Sequence, residues 1–154
     1  MSNYKGPIIV CGFPGTGKSF LADQLKCHDS DSSSFSWLEP GVRNPLFPKN
    51  YIEHILGLRG LVLASTHKDV RNRLRIGRIP FWICYPDREC KDEYLDRYRA
   101  RKSPDEFLAL LAKNWDLWIG EMEAEGQCAG RIILGANEYL ADILAPGIAK
   151  GVQG

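Results

Sequence analysis

The sequence predicts an α/β protein built on a parallel β-sheet, and three observations carry this prediction. Short apolar runs rich in β-branched residues recur along the chain. None of these runs alternates polar and apolar residues, which is typical of strands that are covered on both faces. Stretches with helical spacing of apolar residues lie between them, and alternation of strands and helices favours parallel pairing through right-handed crossovers.

Four apolar runs predict the main strands of this sheet. They are "PIIVC" (7–11), "GLVLAST" (60–66), "IPFWICY" (79–85) and "RIILG" (131–135). A fifth, weaker strand is expected to lead into "HDSDSSSF", which begins at His28. The segment 29–50 contains many helix-breaking residues, so no long helix is expected there.

Five segments show the periodicity of helices. These are 18–26, 49–57, 67–76, 91–101 and 104–124. The last has a predicted capping box, with Ser103 as N-cap, Pro104 in the first turn and Glu106 three residues after the serine. Its apolar residues recur every three or four positions, which predicts a face that packs on the sheet.

Length and composition favour one soluble domain. The chain has 154 residues, of which 44% are hydrophobic and 25% charged, enough for a single core. Twenty basic and nineteen acidic residues give a net charge of +1, which argues against a protein that coats nucleic acid or an anionic membrane. The five cysteines have no paired spacing, so reduced thiols are expected. Neither a signal sequence nor a membrane span is predicted, and a cytoplasmic location is expected.

The sequence "GFPGTGKS", residues 12–19, carries the main functional signal. It satisfies the pattern G-x-x-x-x-G-K-[ST], and it follows a predicted strand and opens a predicted helix, as a phosphate-binding loop requires. Glycines allow turns that bring amide protons toward phosphate oxygens, Lys18 offers a positive charge, and Ser19 offers a hydroxyl to Mg²⁺. The residues expected to bind ATP are Gly12, Pro14, Gly15, Thr16, Gly17, Lys18, Ser19 and Phe20. The alternative is a glycine turn beside a solvated lysine.

This loop resembles that of P-loop phosphotransferases, especially small nucleoside monophosphate kinases related to adenylate, shikimate and gluconate kinases. The runs "DSDSSSFSW" and "NPLFPKNYIEHI" are similar to short kinase-like proteins of phages and prophages. The resemblance implies a three-layer P-loop NTPase fold with a five-stranded parallel sheet in the order 2-3-1-4-5, and it implies ATP and Mg²⁺ as cofactors. It also implies one kinase domain over 1–146 with an acceptor-binding segment at about 29–58 and a lid at about 87–103. Residues 147–154 are expected to form a flexible tail.

The resemblance also implies a magnesium-supporting aspartate at a strand end, but "LVLAST" and "IPFWICYP" end without one. Asp29 and Asp31 are the nearest substitutes, at the carboxyl end of the weak second strand, where ligands of open α/β sheets bind. Asp31 is expected to support Mg²⁺ together with Ser19, or to act as a base if the acceptor is a hydroxyl. The alternative is a turn stabilised by these side chains.

Two further groups of residues are implied at the site. Trp37, Arg43 and Tyr51 lie in the segment that covers the acceptor nucleotide in such kinases, and aromatic rings and arginines suit bases and phosphates. The alternative for these aromatics is a small satellite core. Arg97 and Arg101 lie on one face of the lid helix and are expected to close on the triphosphate. The alternative there is a solvated face paired with nearby acids.

The resulting expectation is Mg²⁺-dependent transfer of the ATP γ-phosphate to a small nucleotide, a (deoxy)nucleoside monophosphate above others, without a membrane partner. One alternative is a kinase of a hydroxyl acceptor, either a polynucleotide 5′ end or a small metabolite. Another is a slow ATPase that acts as a nucleic-acid or regulatory module and uses the basic cluster at 67–78 as its contact surface.

Overall fold

A five-stranded parallel sheet forms the centre of the structure, a computed structural model that describes residues 5–25, 27–30 and 33–144. The strands are β1 (Ile8–Gly12), β2 (His28–Asp29), β3 (Trp37–Glu39), β4 (Val42–Arg43), β5 (Leu61–Ser65), β6 (Trp82–Pro86) and β7 (Gly130–Leu134). The sheet has the order β2-β5-β1-β6-β7, which reads 2-3-1-4-5 when its own five strands are numbered along the chain. The predicted fold class is confirmed.

The helices follow the predicted alternation closely. They are α1 (Lys18–Leu25), α2 (Ser33–Ser36), α3 (Lys49–Leu56), α4 (Lys68–Ile76), α5 (Lys91–Ala100) and α6 (Asp105–Glu123), with a 3₁₀ turn at Arg88–Cys90. The chain is helical again over 140–144. The antiparallel hairpin of β3 and β4 was not predicted, because its strands are only three and two residues long.

The sheet is covered on both faces, which makes the predicted three layers. On one face α1 and the helix at 140–144 bury residues such as Val10, Leu21 and Leu140. On the other face α3 and α4 pack around Ile9 and Cys11. Beside them, α5 and α6 form a cluster with the following buried residues: Phe13, Ile83, Tyr85, Tyr94, Leu95, Tyr98, Leu111, Trp115, Ile119 and Met122. This packing explains why the strands lack polar alternation.

The predicted capping box is wrong. Helix α6 begins at Asp105 with Pro104 as its N-cap residue, and no side chain caps its first turn. Ser103 instead belongs to the turn that follows α5. Its amide donates to the Tyr98 carbonyl oxygen at 3.0 Å, and the preceding Lys102 adopts a left-handed φ of 59°. This is a Schellman end without the usual glycine, and a residue before proline is disfavoured in the helical region.

The five cysteines are free thiols, as predicted. Cys11 and Cys84 are buried in the core, where desolvation raises the pKa of each thiol to about 12. Both therefore behave as small apolar side chains. Over the described ranges, no helix has the length and apolar character needed to cross a membrane. The predicted tail at 147–154 lies outside the described residues.

Candidate active site

The loop between β1 and α1 adopts a shape that only glycine fits at two positions. Gly15 and Gly17 have φ values of 89° and 90°, a region that residues with a Cβ rarely adopt. A Cβ on Gly15 would lie 2.8 Å from the Tyr98 ring, and one on Gly17 would lie 3.1 Å from the Tyr139 ring. The loop is therefore held tightly between these two aromatic side chains.

Lys18 and Thr16 further define the loop. The Lys18 Nζ donates to the Gly12 carbonyl oxygen at 2.7 Å, so the ammonium folds back over the loop instead of extending into solvent. The buried Thr16 hydroxyl donates to the Phe13 carbonyl oxygen at 2.7 Å. The positive charge therefore lies beside the loop amides, where a phosphate chain would be held.

Ser19 and Asp29 meet at the end of the sheet. The Ser19 Oγ, in the first turn of α1, donates to Asp29 Oδ2 at the end of β2, with a distance of 2.7 Å. A hydroxyl and a carboxylate are the hard oxygen donors that Mg²⁺ prefers. Asp31, the predicted partner of Ser19, lies outside the described residues, so Asp29 is the acid that the structure places at this hydroxyl.

Among the described residues, few protein ligands for a metal lie at this site. No group of three or more His, Cys, Asp or Glu side chains with metal-binding geometry occurs in the part of the chain that the structure describes. Mg²⁺ commonly uses one or two protein oxygens and completes its shell with water and substrate phosphates. The Ser19 and Asp29 pair fits that mode of binding.

A cavity of about 560 Å³ opens beside the loop, at the carboxyl ends of the strands. The loop forms one wall. The other walls come from Asp29 and Ser30 after β2, Ser65 and Thr66 after β5, and Arg101 and Phe107. Of the loop residues predicted to bind ATP, only Thr16 lies behind the cavity, because its side chain is fully buried.

The two predicted lid arginines lie in different environments. The Arg97 side chain is only 9% exposed and lies between the rings of Tyr94 and Tyr139. Its terminal nitrogens donate to the Gly15 carbonyl oxygen at 2.7 Å, to Glu93 Oε2 at 2.6 Å and to the Glu138 carbonyl oxygen at 2.9 Å. Arg101 is exposed, lines the 560 Å³ cavity and lies 5.4 Å from the centre of the Tyr98 ring. Arg97 thus braces the loop, whereas Arg101 faces the open cavity.

Most of the predicted lid is a helix docked against the phosphate loop. Tyr94 and Tyr98 of α5 are fully buried, and the Tyr98 hydroxyl donates to the Pro14 carbonyl oxygen at 2.6 Å. Of the region around it, Arg101 after α5 and Phe107 of α6 line the 560 Å³ cavity. The lid expected at about 87–103 stays a prediction.

The predicted acceptor residues do not converge on the loop. Tyr51 is fully buried, and its hydroxyl donates to the Ser30 carbonyl oxygen at 2.6 Å and accepts from the Ser65 amide at 3.2 Å. Its hydroxyl therefore links the residues at the ends of β2 and β5, as in the alternative of a satellite core. The expected direct contact of Tyr51 with substrate is wrong, because the side chain is fully buried. The Arg43 guanidinium lies 5.1 Å from the Trp37 ring on the hairpin, and neither residue lines the 560 Å³ cavity.

Part of the basic cluster at 67–78 points inward. Arg71 and Arg75 both pair with the buried Glu125, at 3.2 Å and 2.8 Å, and Arg71 also lies 3.4 Å from Glu121. His67 caps α4 by accepting the Asp69 amide proton at Nδ1, and burial lowers the pKa of His67. This part of the cluster joins α4 to α6.

Sequence reasoning missed the contribution of the loop that follows β7. A further cavity of about 450 Å³ lies beside Gly15 and Gly17 and is also lined by Asn137 and Tyr139. The Asn137 amide donates to Glu93 Oε1 at 2.9 Å, which fixes this loop to α5. Its position at the carboxyl end of the last strand is the signal that could have suggested a ligand-contacting segment.

Comparison with solved structures supports this description of the fold. A gluconokinase from Sinorhizobium meliloti 1021 is similar with a TM-score of 0.57 and 15% identity, over 99% of this chain and 94% of that chain. A tunicamycin resistance protein from Deinococcus radiodurans is similar with a TM-score of 0.53 and 15% identity, over 97% and 96%. No protein-family model and no curated protein sequence matches the chain. The sheet order and the loop thus define a three-layer α/β protein with the P-loop NTPase fold.

Proposed function

We propose that the chain is a Mg²⁺-dependent kinase that transfers the ATP γ-phosphate to a small nucleotide, a (deoxy)nucleoside monophosphate. The observation that carries this proposal is the phosphate loop itself, with Lys18 folded over it and the Ser19 and Asp29 pair at its end, facing a cavity. The kinase fold shared with the S. meliloti gluconokinase supports phosphotransfer.

In this proposal the residues act mainly by positioning and by neutralising charge. The loop amides and Lys18 would hold the β- and γ-phosphates. Ser19 and Asp29 would hold the Mg²⁺, which would supply positive charge against the phosphates. Arg101, the arginine at the cavity, would face the transferring phosphate and offset its charge. Arg97 positions the loop through the Gly15 carbonyl.

The nucleotide base of ATP, the phosphate donor, can be placed in the 450 Å³ cavity beside the loop. The 450 Å³ cavity beside Gly15 and Gly17 offers the Tyr139 ring, which is 41% exposed, and the polar Asn137. Aromatic faces stack on bases with little dependence on the base, and an amide side chain can hydrogen-bond to a ring edge. We infer that the ATP base occupies this cavity while its phosphates follow the loop.

A second candidate is a kinase of a hydroxyl acceptor. It is favoured by the similarity to a gluconokinase, a protein whose name indicates gluconate as the acceptor. In that case a base is needed to take the hydroxyl proton, and Asp31 is the candidate that the sequence offers. A phosphate acceptor is already ionised and needs no such base.

The test is ADP release in a coupled assay with each ribo- and deoxyribonucleoside monophosphate, and in parallel with gluconate and a 5′-hydroxyl oligonucleotide. We expect strong stimulation by at least one monophosphate, dependent on Mg²⁺. Lys18→Ala should reduce transfer by roughly 100-fold or more because the lysine charge is removed from the phosphates. Lys113→Ala, on the exposed face of α6, is the matched control and should be unaffected.

Two results would contradict the proposal. Stimulation by gluconate or the oligonucleotide, without any effect of a monophosphate, would favour the hydroxyl-acceptor candidate. Full activity of a folded Lys18→Ala variant would reject the loop as the site of transfer.

A further inference from the structure

A second cavity, of about 350 Å³, extends from the phosphate cavity into the space between α4 and α6. The two cavities share Pro14, Ser65, Thr66 and Phe107. A ligand could therefore place its reactive group beside the loop and the rest of its body between the two helices. We refer to this space as the α4–α6 cavity.

The α6 wall of this cavity is apolar and partly aromatic. Phe107 and Trp118 are half-buried, so part of each ring remains available, while Leu111 and Met122 are buried beside them. The sequence pattern alone assigned these four residues to the core-facing stripe of α6. Half-exposed rings that line a cavity are suited to the face of a flat ligand.

The charges around the α4–α6 cavity do not favour an anion inside it. Arg71 lines the cavity, but its guanidinium is committed to Glu121 at 3.4 Å and to Glu125 at 3.2 Å, and its Nε donates to the Thr66 carbonyl oxygen at 2.8 Å. Lys68 is exposed. A buried arginine that already has two carboxylate partners gains little from a third anion.

Two other polar side chains of the cavity, Glu121 and His67, can form hydrogen bonds with the edge of a heterocyclic ring. Glu121 is 32% exposed and makes a long contact to Arg71, so its carboxylate can still accept from a ring N–H or amino group. His67 accepts at Nδ1, so its neutral form carries a proton on Nε2, and burial lowers its pKa. A carboxylate acceptor and an imidazole donor lie in one mostly apolar cavity.

From these observations we propose that the α4–α6 cavity binds the heterocyclic base of the acceptor nucleotide, between Phe107 and Trp118 and the polar edge at His67 and Glu121. The inference rests on the proposed kinase function and specifies where its acceptor is recognised. Most of the surface that lines this cavity is apolar, which suits a flat base better than a polyol or a sugar acid. The base is then recognised from the α6 side, and neither Trp37 nor Arg43 of the hairpin lines this cavity.

The experiment measures acceptor binding and donor use separately in the full chain. Steady-state kinetics give KM for the best monophosphate and for ATP, and saturation-transfer NMR with the corresponding unphosphorylated nucleoside reports binding without ATP. We expect Trp118→Ala to raise the acceptor KM about 10-fold, since base stacking on an aromatic ring is worth about that factor or more. The KM for ATP should stay unchanged, and Trp118→Phe should retain most acceptor binding.

Glu121→Gln should change the preference among bases more than the ATP KM, because it removes a carboxylate acceptor. Leu117→Ala is the matched control, since Leu117 is 59% exposed on α6 and does not line the cavity. An unchanged acceptor KM and unchanged nucleoside binding in a folded Trp118→Ala variant would overturn the inference while leaving the kinase proposal intact.

The inference can also be judged if no monophosphate stimulates ADP release, which would reject the proposed function. Nucleoside binding that Trp118→Ala abolishes would still support a base site. Absence of nucleoside binding to the wild-type protein, or Trp118-dependent binding of gluconate instead, would overturn it.

Discussion

Ser19 and Asp29 are ten residues apart, and their 2.7 Å contact joins the start of α1 to the end of β2. The contact is possible because β1, β5 and β2 are neighbours in a parallel sheet, so their carboxyl ends lie at one edge. Sequence reasoning identified both acids of "HDSDSS" but paired Ser19 with Asp31. The structure gives the hydroxyl contact to Asp29.

We predict that Asp29→Asn raises the Mg²⁺ concentration needed for half-maximal activity by roughly 10-fold or more. A neutral amide oxygen is a weaker ligand for Mg²⁺ than a carboxylate, and it is also a weaker hydrogen-bond acceptor for the water molecules bound to Mg²⁺. The measurement is ADP formation across a Mg²⁺ titration at fixed ATP. Asp92→Asn, exposed on α5, should behave like the wild type. An unaltered Mg²⁺ requirement in Asp29→Asn would move the metal role to another acid, with Asp31 the first to test.

Helix α5 acts as a support for the phosphate loop. Tyr98 donates to the Pro14 carbonyl oxygen, Arg97 donates to the Gly15 carbonyl oxygen, and Glu93 holds the loop after β7 through the Asn137 amide. Burial raises the pKa of Tyr98 well above its ordinary value, so this hydroxyl remains a donor near neutral pH. We infer that the loop shape is largely set before nucleotide binds.

The two tyrosines of α5 provide a matched comparison. The Tyr94 hydroxyl is buried and has no hydrogen-bond partner among the described residues, whereas the Tyr98 hydroxyl has one. Tyr94→Phe should leave the free energy of unfolding unchanged or slightly higher, because it removes an unsatisfied buried polar group. Tyr98→Phe should lower it by about 1 kcal/mol and raise the KM for ATP.

Urea denaturation of both variants, followed by ATP kinetics, provides the measurement. Equal loss of stability in the two variants would show that the Tyr94 hydroxyl is satisfied in solution. No change in either property for Tyr98→Phe would argue against α5 as the support of the loop.

Across the whole molecule, α4 and α6 are joined by a buried ionic cluster. Glu125 is 5% exposed and accepts from Arg71 and Arg75, residues 54 and 50 positions away in the chain. The Arg131 guanidinium donates to the Glu125, Glu123 and Met122 carbonyl oxygens, so it caps the end of α6 against β7. Arg71 of this cluster also lines the cavity in which we place the acceptor base.

Without the Glu125 carboxylate, the buried Arg71 guanidinium would keep only the longer ion pair with the partly exposed Glu121. We predict that Glu125→Gln lowers the free energy of unfolding by on the order of 3–5 kcal/mol, as for other buried ion pairs that lose one member. Thermal and urea denaturation provide the measurement. Glu123→Gln removes the exposed pair with Arg88 and should change stability little. Similar stability of the two variants would mean that the buried cluster contributes no more than a surface pair.

Local patterns were enough to predict much of this protein. The phosphate loop is a short motif whose residue types are each required by backbone geometry or charge, and its prediction depended on adjacent residues only. The five helices of eight or more residues and the main strands could be predicted from the apolar residues within each segment. The sheet order came from the resemblance of the loop to a known family, because periodicity carries no information on which strands pair.

The sequence by itself therefore determined the fold class and the position of the phosphate loop. The tertiary structure decided which residues surround that loop, since these contacts join distant segments: Arg97 reaches Gly15 across 82 residues, and Arg71 reaches Glu125 across 54. It also decided that Tyr51 is a buried structural residue and that Phe107 and Trp118 line a cavity. Apolar spacing along a helix cannot distinguish a side chain packed in the core from one beside a cavity, because that depends on how closely the opposite element approaches.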